Sequence, residues 1–386
     1  MKKHGIGRRT FLSGLAGTAV VAGARARTAA ASSAQGDKPA RPARIRFAVI
    51  GLNHSHIYGQ VEAVQRGGGE LVAMYAKEQD LTAAFLKRHP NVKRVANEQE
   101  ILEDPAIQLV VSAAIPDERA PLGVRVMQHG KDYMADKPGI TTLDQLAEVR
   151  RVQAQTRRIY SIMYSERFEN RATVRAGELV KAGAIGQVVQ TIGLGPHRMN
   201  PTSRPPWFFE GPRFGGILCD IGSHQADQFL YFTGSTRGAV VASQVGNIRN
   251  QQYPTFEDFG DATLRGDRGT GYIRVDWFTP AGLGTWGDGR LTILGTDGYI
   301  EIRKNIDIGG RPGGSHLFLV DQKETRYIDC SKVALPYGEQ LVNDVVDRTE
   351  TAMTQAHCFL ATELMLKAQA QADRVAFAPA PSSSRV

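Results

Sequence analysis

Residues 215–234 of the 386-residue chain, GGILCDIGSHQADQFLYFTG, set a carboxylate and an imidazole, Asp220 and His224, just after paired glycines. Side chains four apart share a helix face. On a helix through this segment Ala226, Phe229, Leu230 and Thr233 form the packed stripe, and Asp220, His224, Asp227 and Tyr231 form the opposite, polar one. The glycines let backbone approach a ligand closely. A carboxylate beside histidine fixes the ring's tautomer and raises its basicity, which is what taking a proton from an alcohol near neutral pH requires. The plainer alternative is a solvated helix face with an N-terminal carboxylate.

An earlier segment supplies elements that would face this one. Residues 107–114 (IQLVVSAA) read as a buried strand followed by Ile115-Pro116-Asp117, residues 122–128 as a helix, and residues 132–135 as a strand running into Asp136-Lys137-Pro138-Gly139. Repeated βα units predict a parallel sheet whose ligands sit beyond the carboxyl ends of its strands. Pro116 and Lys137 then border one crevice. A lysine after a strand is commonly a solvated surface residue, so its candidacy rests on the later Asp–His helix.

Together the two segments resemble the Gfo/Idh/MocA family of nicotinamide-dependent oxidoreductases. Asp136-Lys137-Pro138 stands for the family's Glu-Lys-Pro, and residues 215–224 fit its Gly-Gly-x-x-x-Asp-x-Gly-x-His block. Tyr164-Ser165-Glu166-Arg167-Phe168, residues 179–189 (LVKAGAIGQVV) and residues 294–298 (LGTDG) extend the similarity over roughly residues 44–373. The resemblance implies a Rossmann domain with NAD or NADP, a sugar or cyclitol substrate, and catalysis by Lys137, Asp220 and His224. In that scheme His224 takes the alcohol proton, Asp220 orients it, and Lys137 holds the reacting oxygen.

The turn after the first strand departs from the family. G-x-G-x-x-G brings pyrophosphate to a helix N-terminus, and here the turn is Gly51-Leu52-Asn53-His54-Ser55-His56. Asn tolerates left-handed backbone angles, so Asn53 is expected to replace the second glycine. Ala76, then Lys77, occupy the place of the acidic residue that would hold the adenosine ribose, which leaves NAD against NADP open. The expected cofactor contacts are Gly51, Leu52, Asn53, His54, Ala76, Lys77, Pro116, Asp117, Asp136 and Lys137. Ala120 stands where the family has a histidine. His54-x-His56 invites a zinc reading, but no Cys or His partner occurs at metal-site spacing, and no metal is expected.

Residues 196–209 contain Pro196-His197-Arg198-Met199-Asn200 and Pro205-Pro206-Trp207-Phe208-Phe209. Aromatic faces stack on sugars and Arg or His bind their hydroxyls or acidic groups, so His197, Arg198 and Trp207 are expected to bind substrate with Asp220 and His224. Arg167 is a further candidate, for substrate or for an interdomain ion pair.

Arg8-Arg9-Thr10-Phe11-Leu12, a modest apolar run and an Ala/Ser-rich stretch predict a twin-arginine signal over residues 1–34, hence export in folded form to the periplasm or beyond. Its apolar core is too short to span a bilayer. Without the six Lys and Arg of that segment, 41 basic residues face 39 acidic ones. Such a balance lacks the excess that nucleic-acid binding demands. Cys219, Cys330 and Cys358 are too few for a disulfide framework, and Cys219 reads as a small buried side chain.

The predicted organisation is a linker over 35–43, a doubly wound dinucleotide domain over 44–164, an open, mostly antiparallel sheet domain over 165–377 and a disordered tail over 378–386. One face of the second sheet is expected either to line the cleft or to join a homo-oligomer, a dimer or tetramer. An exported enzyme has no dinucleotide pool, so its cofactor must be retained and regenerated within each cycle. Two closed cycles satisfy this: coupled oxidation and reduction of sugars, or glycoside cleavage through a transient ketone. A non-catalytic sugar-binding protein on the same fold is the alternative that the altered glycine turn motivates.

Overall fold

The structure is a computed structural model that describes residues 43–376. The signal segment, all but the end of the linker, and the tail lie outside the described residues. Six parallel strands form the first sheet: β1 (Ile45–Ile50), β2 (Gly69–Tyr75), β3 (Lys93–Arg94), β4 (Leu109–Ser112), β5 (Asp132–Asp136) and β6 (Tyr160–Met163), in the order β3-β2-β1-β4-β5-β6. β4 and β5 are buried at every position, as strands covered on both faces must be. Between them the helix Pro116–Gln128 starts six residues earlier than the sequence suggested. Pro121 inside it lacks the N–H that would bond the Asp117 carbonyl, and that carbonyl instead accepts Gln145 Nε2 at 3.0 Å. A side chain from the neighbouring helix thus satisfies the gap that made this stretch read as a loop.

The second sheet has nine strands: β7 (Val188–Pro196), β8 (Gly238–Gly246), β9 (Phe259–Gly266), β10 (Thr270–Asp276), β11 (Arg290–Gly295), β12 (Gly298–Arg303), β13 (His316–Asp321), β14 (Thr325–Asp329) and β15 (Asp373–Val375). Their order is β14-β13-β12-β11-β7-β10-β9-β8-β15, antiparallel except where β7 pairs β10 and β8 pairs β15. The helix Gly222–Thr233 lies on one face, packed against β7 and β10. Of its twelve residues only Tyr231 is exposed, so the helix is not amphipathic as expected. It is a core element, and its polar side chains must find partners inside the protein.

The last helices return to the first sheet. Gln355 Oε1 accepts the Tyr160 amide at 2.9 Å, and Tyr337 OH lies 3.0 Å from Ser161 Oγ. The helix Gln355–Gln371 is buried along most of its length between the helices Leu143–Thr156 and Gly222–Thr233 and strand β8. One apolar core therefore runs from the first sheet to β8–β10, with a second under β11–β13, and the first fixes the ends of β1, β4 and β5 against the helix that carries His224.

Candidate active site

At the end of β1 the turn is pinned from both sides. Gly51 N–H bonds Tyr75 O at 2.9 Å, and His54 N–H bonds Ala113 O at 3.0 Å. Gly51 has φ +86°, and a Cβ there would come within 2.6 Å of Ala114 Cβ, so this glycine is obligatory. Asn53 is not among the residues of positive φ, so it does not use left-handed freedom as expected. Its side chain is drawn aside, Nδ2 donating to Glu78 Oε1 at 2.7 Å.

Arg119 is fully buried and ties β4 to β5. Its Nε donates to Ala114 O at 2.7 Å and its Nη1 to Lys137 O at 2.5 Å. Lys137 is thereby held at the carboxyl end of β5, with Nζ 2.9 Å from Asp220 Oδ1 and both side chains less than a tenth exposed. Burial disfavours the Asp220 carboxylate, and the adjacent ammonium overrides it, so the group sits below the ordinary carboxylate range. The partner of Asp220 is therefore Lys137 and not His224, which corrects the expected Asp–His pair. The cause is the break at Ile221: Asp220 ends the short helix Ile217–Asp220, whereas His224 belongs to the next one.

His224 is buried beside the Tyr164 ring, and its Nδ1 has no hydrogen-bond partner. Burial pushes its pKa down to about 4, against the pull of Glu166. The Glu166 carboxyl is opposed by burial but held at about 2 by Lys304, whose Nζ contacts it directly and donates to Gln228 Oε1 at 2.7 Å. His224 is thus a neutral imidazole that borders the cleft, its unpartnered Nδ1 buried, with an anion at hand to stabilise its protonated form.

These groups line a cleft with two adjoining lobes. The larger, about 370 Å³, is bordered by His54, Pro116, Lys137 and Asp220 on one side and by His197, Arg198, Arg204, Trp207, Trp277 and Trp286 on the other. The smaller, about 250 Å³, contains Glu166, His224 and Lys304. His56, His197 and Trp286 border both. The His197 ring packs 4.6 Å from Trp286, and the Arg204 guanidinium lies over Trp277 at 5.0 Å. Apolar faces with a few polar groups suit a small polyhydroxylated ligand.

A separate small pocket beyond the turn is bordered by Gly51, Asn53, Ala76, Lys77 and Glu78. A dinucleotide fits this arrangement: the pocket and the cleft adjoin the same Gly51–His56 turn, and the Asn53 side chain is held back by Glu78 inside the pocket. Lys77 is exposed and pairs with Glu118 at 3.3 Å, not with Glu78. The side chains of three expected cofactor contacts are otherwise engaged. The Leu52 side chain faces the core, Asp117 pairs with Arg213 at 3.5 Å, and Asp136 is buried beneath His54 and His56.

Arg167 is not a substrate ligand. Its guanidinium forms two 2.7 Å hydrogen bonds to Asp227, which also meets His357 Nε2 at 2.8 Å. Both Arg167 and Asp227 are buried away from the cleft lining and belong to the second domain, so Arg167 forms an ion pair within that domain, neither the interdomain pair nor the substrate contact expected. Asp227, expected on a polar face, is fully buried. Sequence reasoning missed Arg119, Glu166, Lys304, Arg204, Trp277 and Trp286. Glu166 was within reach, since it adjoins Arg167 in the Tyr164–Phe168 stretch, but Lys304 and the two tryptophans carry no local signal.

A parallel six-stranded sheet presenting a lysine to a carboxylate and an imidazole from a second, mostly antiparallel domain defines a dinucleotide-dependent oxidoreductase. Residues 45–164 match the model of the oxidoreductase family NAD-binding Rossmann fold, and residues 173–301 match the GFO/IDH/MocA C-terminal domain. The chain belongs to the Gfo/Idh/MocA family. It is similar to the crystal structure of a protein described as an oxidoreductase from Erwinia carotovora atroseptica SCRI1043, at 46% identity and TM-score 0.84 over 86% of this chain and 99% of that one. It is 24% identical to the scyllo-inositol 2-dehydrogenase (NAD(+)) of Bacillus subtilis (strain 168), over 78% of this chain and 87% of that protein. It shares its fold with a levoglucosan dehydrogenase in complex with NADH, at 16% identity and TM-score 0.68 over 84% of this chain and 97% of that one. Matches to the curated relatives span from 40% to 87% of their length.

Proposed function

We propose that the protein oxidises a secondary alcohol of a sugar or cyclitol, or reduces the corresponding ketone, with a tightly retained NAD or NADP. The observation that carries this reading is the buried Lys137–Asp220 pair at the end of β5, facing a cleft that also reaches the unpartnered His224. A bound nicotinamide would supply the hydride acceptor. Gly51, Asn53, His54, Ala76, Lys77 and Pro116 would hold the dinucleotide. His224 accepts the hydroxyl proton, and the Glu166 carboxylate stabilises the imidazolium that results. Lys137, a compact cation, holds the reacting oxygen as negative charge develops, and Asp220 fixes the ammonium in place. His197, Arg198 and Trp207, with Arg204, Trp277 and Trp286, bind the hydroxyls and apolar faces of the ring.

The Arg8-Arg9 segment supports export of the folded protein, and retention of the cofactor follows from the lack of a dinucleotide pool outside the cytoplasm. The relationship to an inositol dehydrogenase supports the substrate class. Ile192, Leu294 and Tyr299 project from the sheet face opposite the buried helix, a surface suited to pairing copies of the chain. The test is mass spectrometry of small molecules released when the purified protein is denatured. About one NAD or NADP per chain is expected; none released, and none taken up on reconstitution, would leave only a sugar-binding role.

A further inference from the structure

Two imidazoles and a carboxylate converge where the first turn meets β5, and the proton transfer uses none of them. The His54 and His56 rings meet edge to face with centroids 4.0 Å apart. Both direct Nδ1 at Asp136: His56 Nδ1 lies 2.9 Å from Oδ1, and His54 Nδ1 lies 3.3 Å from Oδ2. The three ligand atoms fall within 4.8 Å of one another. Asp136 is 2% exposed; its Oδ2 makes no well-formed hydrogen bond, and its charge is met by Arg119 Nη2 at 3.2 Å. His54 Nδ1 accepts only the His56 amide, at a long 3.3 Å that an ion would replace at little loss.

Ligand atoms within 4.8 Å of one another can close to the edges of about 3.4 Å that a tetrahedral site needs when nitrogen and oxygen ligands lie about 2.1 Å from zinc. Two imidazoles and one carboxylate form a three-ligand set of the kind that leaves a fourth position for water or substrate. Imidazole donors favour zinc, cobalt or nickel over magnesium or calcium, which prefer oxygen. Arg119 Nη2, 3.2 Å from Asp136 Oδ2, would orient the ligating carboxylate from behind. His54 and His56 border the larger lobe beside Lys137.

The geometry points to a divalent transition-ion site, of the zinc class, formed by His54, His56 and Asp136, with its free coordination position open to the cleft. It departs from the expectation that no metal binds, which considered Cys and His partners only. The missing ligand is an aspartate 80 residues away in sequence. His54 also borders the proposed dinucleotide path, so dinucleotide content is measured separately from metal binding.

The test uses tag-free protein stripped with chelator and titrated with Co²⁺, read by its visible absorption, and with Zn²⁺ by calorimetry. One ion per chain is expected, with the absorption intensity of low-coordinate cobalt. His54→Gln and His56→Gln, checked for folding by circular dichroism, should each weaken binding by at least about 100-fold, since loss of even an outer-sphere partner costs about 10–100-fold. Should either variant fail to fold, X-ray absorption of the zinc-loaded wild-type protein must show two imidazoles in the first shell. No ion bound, wild-type affinity in both folded variants, or a zinc shell without imidazole would each overturn the assignment.

Discussion

Replacing Lys137 by methionine will lower kcat by about 10²–10³-fold, the range seen when one preorganised donor to a developing oxyanion is removed. The same change leaves Asp220 buried without its cation, and breaking a buried pair from one side costs about 3–5 kcal/mol of stability. The two consequences are separable. Lys137→Met with Asp220→Asn removes the unpaired charge, so denaturant unfolding should recover most of the lost stability while turnover stays low. If the double variant regained turnover, Lys137 would be a structural residue and not a catalytic one.

The second large effect is at His224. His224→Ala, or His224→Gln where volume must be kept, will reduce kcat by about 10²–10⁴-fold, the usual contribution of general acid–base catalysis. Substrate affinity should change little, because the interaction strengthens only as the proton moves. The pH profile carries the sign. Burial lowers the pKa of His224 to about 4, so the imidazole is neutral throughout the neutral range and is lost as a base only when pH falls through about 4. For the wild-type enzyme kcat/KM should therefore hold steady through pH 6.5, where an exposed histidine would protonate, and fall on its acid side near 4. Removing the carboxylate of Glu166, which raises this pKa, should move the acid limb lower still. Unchanged turnover in the His224 variants would exclude the role.

The parts of this fold legible in the sequence are those governed by local pattern. Alternating apolar strands and helices placed the first sheet, and the Asp136-Lys137-Pro138 and 215–224 segments located the two halves of the cleft. What sequence pattern missed depends on pairings across the chain. Asp220 and His224 looked like partners because they are four apart. The helix break at Ile221 separates them, and a lysine 83 positions earlier claims the carboxylate. Arg167 was visible, but whether it met substrate or Asp227 depended on how the buried helix Gly222–Thr233 turned, and a helix polar on one face in sequence need not expose that face. His54 and His56 lacked a third ligand until the parallel register of β1, β4 and β5 brought Asp136 beneath them. Trp277 just follows β10 and Trp286 lies in the loop before β11, strands whose order no local signal reveals.

The proposed reaction is hydride exchange between a carbinol carbon and a nicotinamide held in this cleft. Its most direct measurement is a single turnover of the dinucleotide-loaded protein with sugars and cyclitols deuterated at each ring carbon in turn, followed by mass analysis of the released cofactor. Deuterium from one ring carbon should pass to the nicotinamide of the wild-type protein, and far more slowly in His224→Gln. A cofactor that stays unlabelled with every substrate, while those substrates bind, would contradict the account.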